Sequence, residues 1–424
     1  MKISVVGLWH LGMTYCVGLA KLGHQVNGVD LNPSVVNTLS SGELIIFEPK
    51  LKDILEEKLN SGDLIFSNSY ESCAESEVIF VTFDTPVRED DSSDVEFVFR
   101  EIDKILMYMD ESALLVICSQ LPIGSCKKIS GMALGHKKNV NVISHPENLR
   151  LGKAYETFFY PDRLVFGTAS GEPNKQLQEI FHDLEKPILW MKQESAEMSK
   201  HALNGFLALS ITYAGEIAQI CASFGADAKE VESALKSDSR IGTKAYLSPG
   251  LGFSGGTLAR DINTLTRLQQ TLEREVGILS MILESNRLNN LWVEETLRKL
   301  MDNENRRIVF CGVTYVEGTN TLRRSISVET MKRLNRDGYE IFFIEDDIFD
   351  GASSFEFPEL SEKDESNIDA LVIMRKLRLF ELNRDYLEEL IRKSTWILDP
   401  LGVLSDETKK SIKGSRYRAV GKSS

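Results

Sequence analysis

Three residues near the start of the chain, Gly7, Gly12 and Asp30, have the types and the spacing of a dinucleotide-binding unit. The first glycine follows a short apolar strand and permits a tight turn, and the second permits close packing of the next helix on the sheet. The pyrophosphate would bind at the helix N-terminus, and the acid would accept hydrogen bonds from the adenosine ribose. Because a carboxylate at position 30 disfavours a 2′-phosphate, we predict NAD as the cofactor and not NADP.

One position of this turn departs from the usual pattern. Trp9 stands where the fingerprint normally has its middle glycine, whose missing side chain lets the backbone approach the pyrophosphate. The ring could turn outward, stack on a ligand or obstruct the cofactor. We predict that Trp9, His10 and Leu11 contact NAD, and the alternative is a Rossmann-like domain that has lost its ligand.

A second set of candidate residues lies in the middle of the chain. Lys200 and Asn204 are four residues apart and therefore share one face of a helix. A lysine suits proton transfer because burial can lower its pKa toward neutrality, although such a pair alone is more often a solvated face. The segment 250–256 has glycine at four of seven positions, which favours close approach of a ligand. His145 and His201 are predicted to pack or to hydrogen-bond and not to catalyse.

Composition limits the classes of function. The chain has 424 residues, enough for two or three domains, with 42% hydrophobic and 26% charged residues. A net charge of -14 argues against nucleic-acid binding, which needs a concentrated basic face. Six scattered cysteines form neither a CxxC pair nor a Cys/His cluster, so we predict no metal site. No apolar run approaches the roughly 20 residues that cross a bilayer, and no signal-type segment is seen, so we expect a cytoplasmic protein without a membrane partner.

The elements that must position these residues alternate between strand and helix. Short apolar runs separated by helical segments predict a parallel sheet covered by helices on both faces. The runs are Ile3–Val6, Gln25–Val29, Val78–Thr82, Leu114–Cys118, Val140–Ser144, Leu164–Gly167 and, in the second half, Ile308–Gly312, Glu340–Ile344 and Ala370–Met374. A final short strand is possible at Tyr417–Val420.

A long stretch of helical spacing without proline, Glu194–Ser223, separates the two alternating regions. The predicted fold is therefore α/β, with two Rossmann-like doubly wound domains joined by a long central helix. We assign an N-terminal NAD-binding domain to residues 1–190, a central helical region to 191–301 and a C-terminal Rossmann-like domain to 302–424.

Six ordered segments carry a resemblance to a known family. They read TFDTP (82–86), CSQLPIG (118–124), SHPENLRLGKAYETFFYPDRLVFG (144–167), ESAEMSKHALNGF (194–206), SRIGTKAYLSPGLGFSGGTLARD (239–261) and GVTYVEGTNTLRRS (312–325). With the N-terminal turn, they resemble the UDP-glucose/GDP-mannose dehydrogenase family. The resemblance implies an NAD-dependent oxidation of a UDP- or GDP-sugar in polysaccharide biosynthesis and a homodimer built on the central helices. It also implies that the C-terminal domain binds the nucleotide diphosphate of the sugar nucleotide.

The resemblance also assigns roles to individual residues. It implies that Lys200 and Asn204 position the alcohol and carry its proton, that Glu147 is a general acid or base, and that Asp261 belongs to the catalytic set. Cofactor contacts are implied at Thr85, Pro86 and Gln120. Further substrate contacts are implied at Leu149, Arg240, Tyr246, Phe253, Gly255 and Arg323, with Arg240 reaching the substrate of a neighbouring subunit.

Several positions differ from the family pattern. Family enzymes remove two hydrides and hold the intermediate aldehyde as a thiohemiacetal on a cysteine, but Thr257 occupies that position here. A threonine hydroxyl titrates far above neutral pH and would need strong base activation to attack. The other differences are Gln120 for threonine, Leu151 for glutamate, Arg260 for lysine and Val316 for lysine.

Three hypotheses remain open from the sequence. The first is the usual four-electron oxidation with an unrecognised nucleophile in place of Thr257. The second is a two-electron oxidation that releases a carbonyl product. The third is a relative that binds a nucleotide sugar without turnover.

Overall fold

The computed structural model describes residues 1–85, 94–147, 149–272, 277–301, 306–315, 322, 324–346, 355–361, 368–412 and 414–422. The chain divides into two compact units, Met1–Ala202 and Leu203–Ser424.

The first unit is built on a sheet of eight strands. In chain order they are β1 (Lys2–Val6), β2 (Gln25–Val29), β3 (Leu64–Ser67), β4 (Val78–Val81), β5 (Leu114–Ile117), β6 (Asn141–Ser144), β7 (Leu164–Thr168) and β8 (Ile188–Lys192). The spatial order is β3-β2-β1-β4-β5-β6-β7-β8. Every neighbouring pair is parallel except β6 and β7, which meet antiparallel at Ser144 and Gly167.

Helices cover both faces of this sheet. They are α1 (His10–Lys21), α2 (Pro33–Ser40), α3 (Leu51–Ser61), α4 (Val95–Tyr108), α5 (Ser125–Gly135), α6 (Ala154–Phe159) and α7 (Lys175–Ile180). Along β4 the side chains alternate: Phe80 packs in the core with α1, and Ile79 packs in the core with α4. All four β4 residues are buried, as expected for a parallel strand covered on both sides.

The second unit contains the smaller sheet. Its strands are β9 (Arg307–Cys311), β10 (Glu340–Ile344), β11 (Ile368–Ile373), β12 (Ser394–Leu398) and β13 (Tyr417–Arg418), in the spatial order β10-β9-β11-β12-β13 and all parallel. Its helices are α9 (Ala228–Ser237), α10 (Thr257–Gln270), α11 (Ile278–Asn290), α12 (Trp292–Leu300), α13 (Ile326–Arg336), α14 (Arg378–Leu382), α15 (Arg384–Lys393) and α16 (Asp406–Ser411). Along β9, Phe310 packs in the core with α13, and Val309 packs in the core with α15.

A single long helix, α8 (Gln193–Phe224), runs from the first unit into the second. By length and mean hydropathy alone it could cross a membrane, and 44% of its apolar window is buried inside the protein. The core helix of a protein that never enters a bilayer satisfies the same criteria.

The predicted fold class is confirmed: both sheets are doubly wound and a long helix lies between them in sequence. Three strands were missed, β3, β8 and β12. β12 follows α15 directly, with no glycine or proline to mark the change of period. The expectation of a parallel sheet is wrong at β6 and β7, which pair antiparallel. The spacing of apolar residues indicates which residues are buried, but it does not indicate the direction of a strand.

Candidate active site

The turn after β1 has the geometry that a dinucleotide site needs. Gly7 has a φ of 95°, and its N–H donates to the carbonyl of Val29 at 2.9 Å. A Cβ added to Gly12 would overlap the Gly7 carbonyl oxygen, so only glycine allows this closeness of α1 to the turn. The two glycines selected from the sequence therefore have the roles predicted for them.

Asp30 closes the same turn from the end of β2. Its Oδ2 accepts the N–H of Leu8 at 2.9 Å, and its Oδ1 accepts the N–H of Asn32 at 2.9 Å. The carboxylate is half-buried and is thereby fixed beside the start of α1. It stands where a ribose hydroxyl would be recognised in a dinucleotide fold.

Trp9 lies at the surface of the first unit. It precedes α1 in an extended conformation, makes no side-chain capping bond and is 47% exposed. Its ring is therefore not part of the core beneath the turn, whereas Leu11 is buried in that core.

A mostly buried contact between His10 and Glu48 supports the start of α1. The His10 Nε2 lies 2.6 Å from the Glu48 Oε1, and Glu48 is only 1% exposed. Glu48 also accepts the N–H groups of Gly152 at 2.7 Å and Ala154 at 3.0 Å. Burial raises the pKa of Glu48, but these hydrogen bonds outweigh it and the net pKa is lowered. Glu48 was not selected from the sequence, because its partners lie 38 to 106 residues away.

Two loops at the carboxyl edge of the first sheet are joined by one hydrogen bond. The Thr85 Oγ1 donates to the Gln120 carbonyl at 2.7 Å. Thr82 donates to the carbonyls of Val6 and Gly7 at 3.0 and 2.9 Å, which ties the same loop to the dinucleotide turn. Thr85 and Gln120, two of the predicted cofactor contacts, thus lie side by side, while the third, Pro86, lies outside the described residues.

Lys200 meets Glu147 beside a small cavity. The Lys200 Nζ donates to the Glu147 main-chain carbonyl at 2.5 Å, and the Glu147 carboxylate accepts the N–H of Leu149 at 2.5 Å. A cavity of about 30 Å³, about the volume of one water molecule, is lined by Gln120, Glu147, Lys200 and Glu197 among others. The structure therefore brings together the lysine, the acid and a cofactor-loop residue that the sequence singled out.

Glu197, one turn before Lys200 on α8, holds the loop below this cavity. Its carboxylate accepts the N–H of Gly124 at 2.6 Å and the N–H of Cys126 at 2.8 Å. It is 6% exposed. Glu197 was not among the predicted site residues, although its place three residues before the lysine could have suggested it.

Both histidines beside the motifs are buried and have hydrogen-bond partners, as predicted. His145 lies 2.8 Å from the Tyr15 hydroxyl and 2.7 Å from the Val165 carbonyl, and burial lowers its pKa to about 4. His201 is buried, with its Nε2 3.2 Å from the Leu121 carbonyl. His145 is therefore neutral at physiological pH.

In the second unit, two other predicted catalytic residues, Asn204 and Asp261, are joined by a hydrogen bond. The Asn204 amide donates to the Asp261 carboxylate, and both side chains are buried. The loop between them is fixed by Asn286, which accepts the N–H of Phe253 at 2.7 Å and donates to its carbonyl at 2.9 Å. Thr257 begins α10 and is exposed.

Two side chains from the segment after β9 cover the glycines of this loop. A Cβ on Gly255 would overlap the Tyr315 hydroxyl, and a Cβ on Gly256 would overlap the Arg324 guanidinium. Arg324 has a φ of 61°, which a residue other than glycine adopts only under strain. Arg324 was not predicted from the sequence. Of the neighbouring positions that were predicted or noted, Arg323 and Val316 lie outside the described residues.

Arg240 and Tyr246 lie at the surface of the second unit. The Arg240 guanidinium pairs with Asp238 at 2.7 Å, and its side chain is 87% exposed. Tyr246 is 48% exposed. Exposed positions suit contact with another molecule, and within this unit neither residue joins Asn204 and Asp261.

No cysteine is placed to replace the family nucleophile. All six are free and buried: Cys16, Cys73, Cys118, Cys126, Cys221 and Cys311. Burial raises the pKa of Cys118 and Cys126, the two that line the cavity beside Lys200. A thiol that is protonated at neutral pH is a poor nucleophile. Among the described residues, no group of three or more His, Cys, Asp or Glu is arranged to hold a metal ion.

Comparison with known proteins gives matches along the whole chain. The NAD-binding-domain model of the UDP-glucose/GDP-mannose dehydrogenase family matches residues 1–185, and its central-domain model matches residues 194–288. UDP-glucose 6-dehydrogenase of Rickettsia typhi is 32% identical over 435 residues, covering 99% of each chain. UDP-glucose 6-dehydrogenase YwqF of Bacillus subtilis is 30% identical over 339 residues, covering 79% of this chain and 77% of the relative. The structure of a UDP-glucose dehydrogenase from Pyrobaculum islandicum superposes with a TM-score of 0.86 at 27% identity, covering 100% of this chain and 98% of that one.

Proposed function

Because the chain belongs to the UDP-glucose/GDP-mannose dehydrogenase family, we propose that it oxidises a hydroxyl of a UDP- or GDP-sugar and stops after one hydride transfer. The general activity, NAD-dependent oxidation of a nucleotide sugar, follows from the family and its relatives. The limit to two electrons is supported by the lack of an accessible thiol, because Thr257 occupies the nucleophile position and all six cysteines are buried.

The first unit holds the residues for the cofactor. Gly7, Gly12 and Asp30 form a turn whose close packing fits a dinucleotide, and Thr85 and Gln120 lie beside it. NAD held by these residues would supply the hydride acceptor for oxidation of an alcohol to a carbonyl. The proton of the hydroxyl must leave at the same time, and the chain has to supply its acceptor.

Lys200 is the group we assign to this proton. Its Nζ is held by the Glu147 carbonyl at 2.5 Å, at the wall of the small cavity, and it is therefore fixed in position. Asn204 is one turn further along α8, and its amide is oriented by the buried carboxylate of Asp261. An oriented amide can hold the hydroxyl oxygen while an amine accepts its proton.

A thioester stage needs a thiol nucleophile, and position 257 is threonine in this chain. Thr257 is exposed at the start of α10, and among the described residues no histidine or carboxylate is hydrogen-bonded to its hydroxyl. An alcohol without an adjacent base does not attack an aldehyde at a useful rate near neutral pH. The residues that are present therefore fit the two-electron reaction R–CH2–OH + NAD⁺ → R–CHO + NADH + H⁺.

A non-catalytic nucleotide-sugar binder is the second candidate, because Trp9 and Thr257 both depart from the family pattern. Titration calorimetry with NAD and with UDP- and GDP-sugars separates the two. Binding of NAD together with substrate-dependent NADH formation supports the dehydrogenase. Binding of a sugar nucleotide without NAD binding would show that turnover has been lost.

We also propose a homodimer formed through α8. Phe206, Tyr213 and Ile220 are seven residues apart, so they share one face of the helix, and they are 66%, 46% and 54% exposed. Phe224 extends this apolar stripe and is 85% exposed. A row of exposed aromatic and aliphatic side chains on a long helix is typical of a surface covered by another chain. In such a dimer, exposed Arg240 would be available to the neighbouring subunit's substrate.

A cytoplasmic location is part of the proposal. All six cysteines are unpaired thiols, as expected in a reducing compartment. Cell fractionation tests this, and recovery of the protein in carbonate-washed membranes would contradict it.

A further inference from the structure

Two buried polar side chains of the first unit, Tyr15 on α1 and His145 after β6, form a hydrogen-bonded pair. They are 3% and 2% exposed. The Tyr15 hydroxyl lies 2.8 Å from the His145 Nε2, and the His145 Nδ1 lies 2.7 Å from the Val165 carbonyl of β7. Because a carbonyl oxygen only accepts, the Nδ1 carries the proton, and the Tyr15 hydroxyl therefore donates to the Nε2.

Aromatic rings pack against both members of this pair. The His145 ring stacks on Phe166 with the centroids 4.2 Å apart, and the Tyr15 ring meets Phe158 edge to face at 5.2 Å. A buried imidazole needs a partner for each nitrogen, since an unsatisfied polar group in an apolar core is destabilising. Tyr15 and the Val165 carbonyl supply these two partners. The orientation of the imidazole is therefore fixed by hydrogen bonds and by packing.

The chain leaves the sheet directly after His145. The His145 N–H donates to the Ile117 carbonyl of β5 at 2.8 Å, and the next residue, Pro146, has no N–H with which to continue the ladder. Glu147 follows, and its main-chain carbonyl accepts a hydrogen bond from the Lys200 Nζ at 2.5 Å. The fixed imidazole therefore lies two residues before the carbonyl that holds the proposed proton acceptor.

Neither member of the pair is suited to take the proton itself. Burial lowers the pKa of His145 to about 4, so the imidazole is neutral at physiological pH. Burial also raises the pKa of Tyr15 well above its ordinary value, so the phenol keeps its proton. The chemistry of both groups is therefore limited to hydrogen bonding, which suits a role in positioning.

We propose that Tyr15 and His145 are positioning residues for the proton acceptor, a role that rests on the proposed function. Tyr15 orients His145, and His145 fixes the chain that leads into Glu147. The Glu147 carbonyl is thereby kept against the Lys200 ammonium group. Because α1 begins at the dinucleotide turn and carries Tyr15, the same contacts relate the cofactor-binding helix to the proton acceptor. All of these residues lie in the first unit.

Chemical labelling of Lys200 tests this role without turnover. The full wild-type chain and the variant Tyr15→Phe are treated with a limiting amount of acetic anhydride, and mass spectrometry measures the rate of acetylation at Lys200. The variant keeps the ring but removes the donor to His145, so the Glu147 carbonyl should shift. We expect Lys200 to react at least about threefold faster in the variant, because its ammonium form loses a hydrogen-bond acceptor.

Tyr70→Phe is the matched control for this labelling. Tyr70 is 5% exposed and donates to Glu101 at 2.6 Å, in the core on the other face of the same sheet. Its variant also loses one buried hydroxyl, and it should label at Lys200 as the wild type does. Equal labelling of the wild type and Tyr15→Phe, or an equal rise in Tyr70→Phe, would overturn the proposal.

A second measurement needs no variant. Nitrogen NMR of the wild-type chain, with its histidines labelled by ¹⁵N and assigned, reports which nitrogen of His145 is protonated. We expect a neutral ring with the proton on Nδ1 at pH 7, because Nε2 accepts from Tyr15. A proton on Nε2, or a doubly protonated ring, would contradict the hydrogen bonds on which the proposal depends.

Kinetics with NAD and a nucleotide sugar relate this positioning to the reaction. We expect Tyr15→Phe to lower kcat about tenfold and to leave the KM for NAD unchanged, since a misplaced proton acceptor slows the step it serves. In a Lys200→Ala background the same change should have no further effect. An equal fall in both backgrounds would overturn the proposal. Absence of NADH formation by the wild type would instead contradict the proposed function, and labelling and NMR would still decide how Lys200 is held.

Discussion

At the scale of the residue, one substitution sets the expected chemistry. Replacing a thiol by the hydroxyl of Thr257 removes the atom that would hold an aldehyde covalently, while Lys200, Asn204, Asp261 and Glu147 remain. The remaining groups suffice to hold the alcohol and accept its proton, while the hydride would pass to NAD. In the function we propose, the loss is therefore confined to the second half of the family reaction.

The variant Thr257→Cys tests the position of the missing nucleophile. A thiol at the start of α10 has a pKa much closer to neutrality than a hydroxyl, so we expect the variant to form acid. The measurement is carboxylate product by mass spectrometry, with Thr257→Ser as the control that keeps a hydroxyl. Acid formation that is no higher in the cysteine variant than in the serine variant would show that the position has been misassigned.

The variant Lys200→Ala tests the proton acceptor. General-base catalysis contributes about 10²- to 10⁴-fold, so kcat should fall by at least about 10²-fold. Lys192→Ala is the control, because Lys192 is exposed just before α8. Unchanged kcat in the Lys200 variant would remove this residue from the mechanism.

The individual site residues were predictable to the extent that they lie in sequence motifs. Lys200, Glu147, Asn204 and Asp261 were selected from their motifs. The structure pairs Lys200 with Glu147 and Asn204 with Asp261, and the motifs did not indicate these pairings. Arg324 was missed, because its contact with Gly256 joins segments 68 residues apart in sequence and has no local signature. Pairings of this kind depend on the tertiary fold.

At the scale of the element, the start of α1 depends on a buried carboxylate. Glu48 joins the His10 end of α1 to the turn before α6 through its bonds to Gly152 and Ala154. Its lowered pKa means that the folded state stabilises the charged form of Glu48 more than the unfolded chain does. The stability of the segment around the dinucleotide turn therefore depends on the protonation state of Glu48.

The variant Glu48→Gln tests this coupling. We expect the free energy of unfolding at pH 7 to fall by about 2 kcal/mol, because a charged acceptor of buried hydrogen bonds is lost. The folded pKa lies below the ordinary value of 4.5, so the contribution is complete above about pH 4.5 and is lost as pH falls through the folded pKa. Denaturant titrations at several pH values measure it.

The control for this series is Glu43→Gln. Glu43 pairs with Lys52 on the surface at 2.8 Å, and such pairs contribute about 0 to 1 kcal/mol. A difference between wild type and Glu48→Gln that stays constant from neutral pH to below pH 4 would contradict the account.

The elements themselves were largely predictable where the apolar pattern was bounded by turn residues. Both predicted bounds of β2 and of β10 agree with the structure, and α8 extends one residue beyond its prediction at each end. β12 was missed because it follows α15 directly, with no glycine or proline between the two elements. The reversed direction of β7 depends on which strand it pairs with, a tertiary choice that a single strand does not encode.

At the scale of the whole molecule, the two units repeat one plan. Gly7 and Gly312 both follow the first strand of their unit with φ near 90°, and each N–H donates at 2.9 Å to the strand that pairs beside it. Asp30 and Glu345 then accept backbone N–H groups of the turn. In the second unit Arg375 also pairs with Glu345 and neutralises it, so the second acid is less suited to binding a ribose.

The proposed dimer is tested at the same scale. The double variant Phe206→Glu/Ile220→Glu places charges in the apolar stripe of α8, and we expect it to be monomeric, because burying unpaired charges at an interface is costly. Sedimentation velocity measures the mass. Leu134→Glu is the control, since Leu134 is 63% exposed on α5, away from the stripe, and should not change the mass. A double variant that keeps the wild-type mass would exclude this face as the interface.

The most direct test of the central claim is the number of NADH molecules formed per nucleotide sugar consumed. Absorbance at the NADH band and product analysis by mass spectrometry follow one reaction with the best-bound UDP- or GDP-sugar. We expect one NADH per sugar and a carbonyl product, because Lys200 is placed to accept the proton of the alcohol and position 257 has no thiol. Two NADH per sugar with a carboxylate product would contradict the two-electron reaction and require another nucleophile.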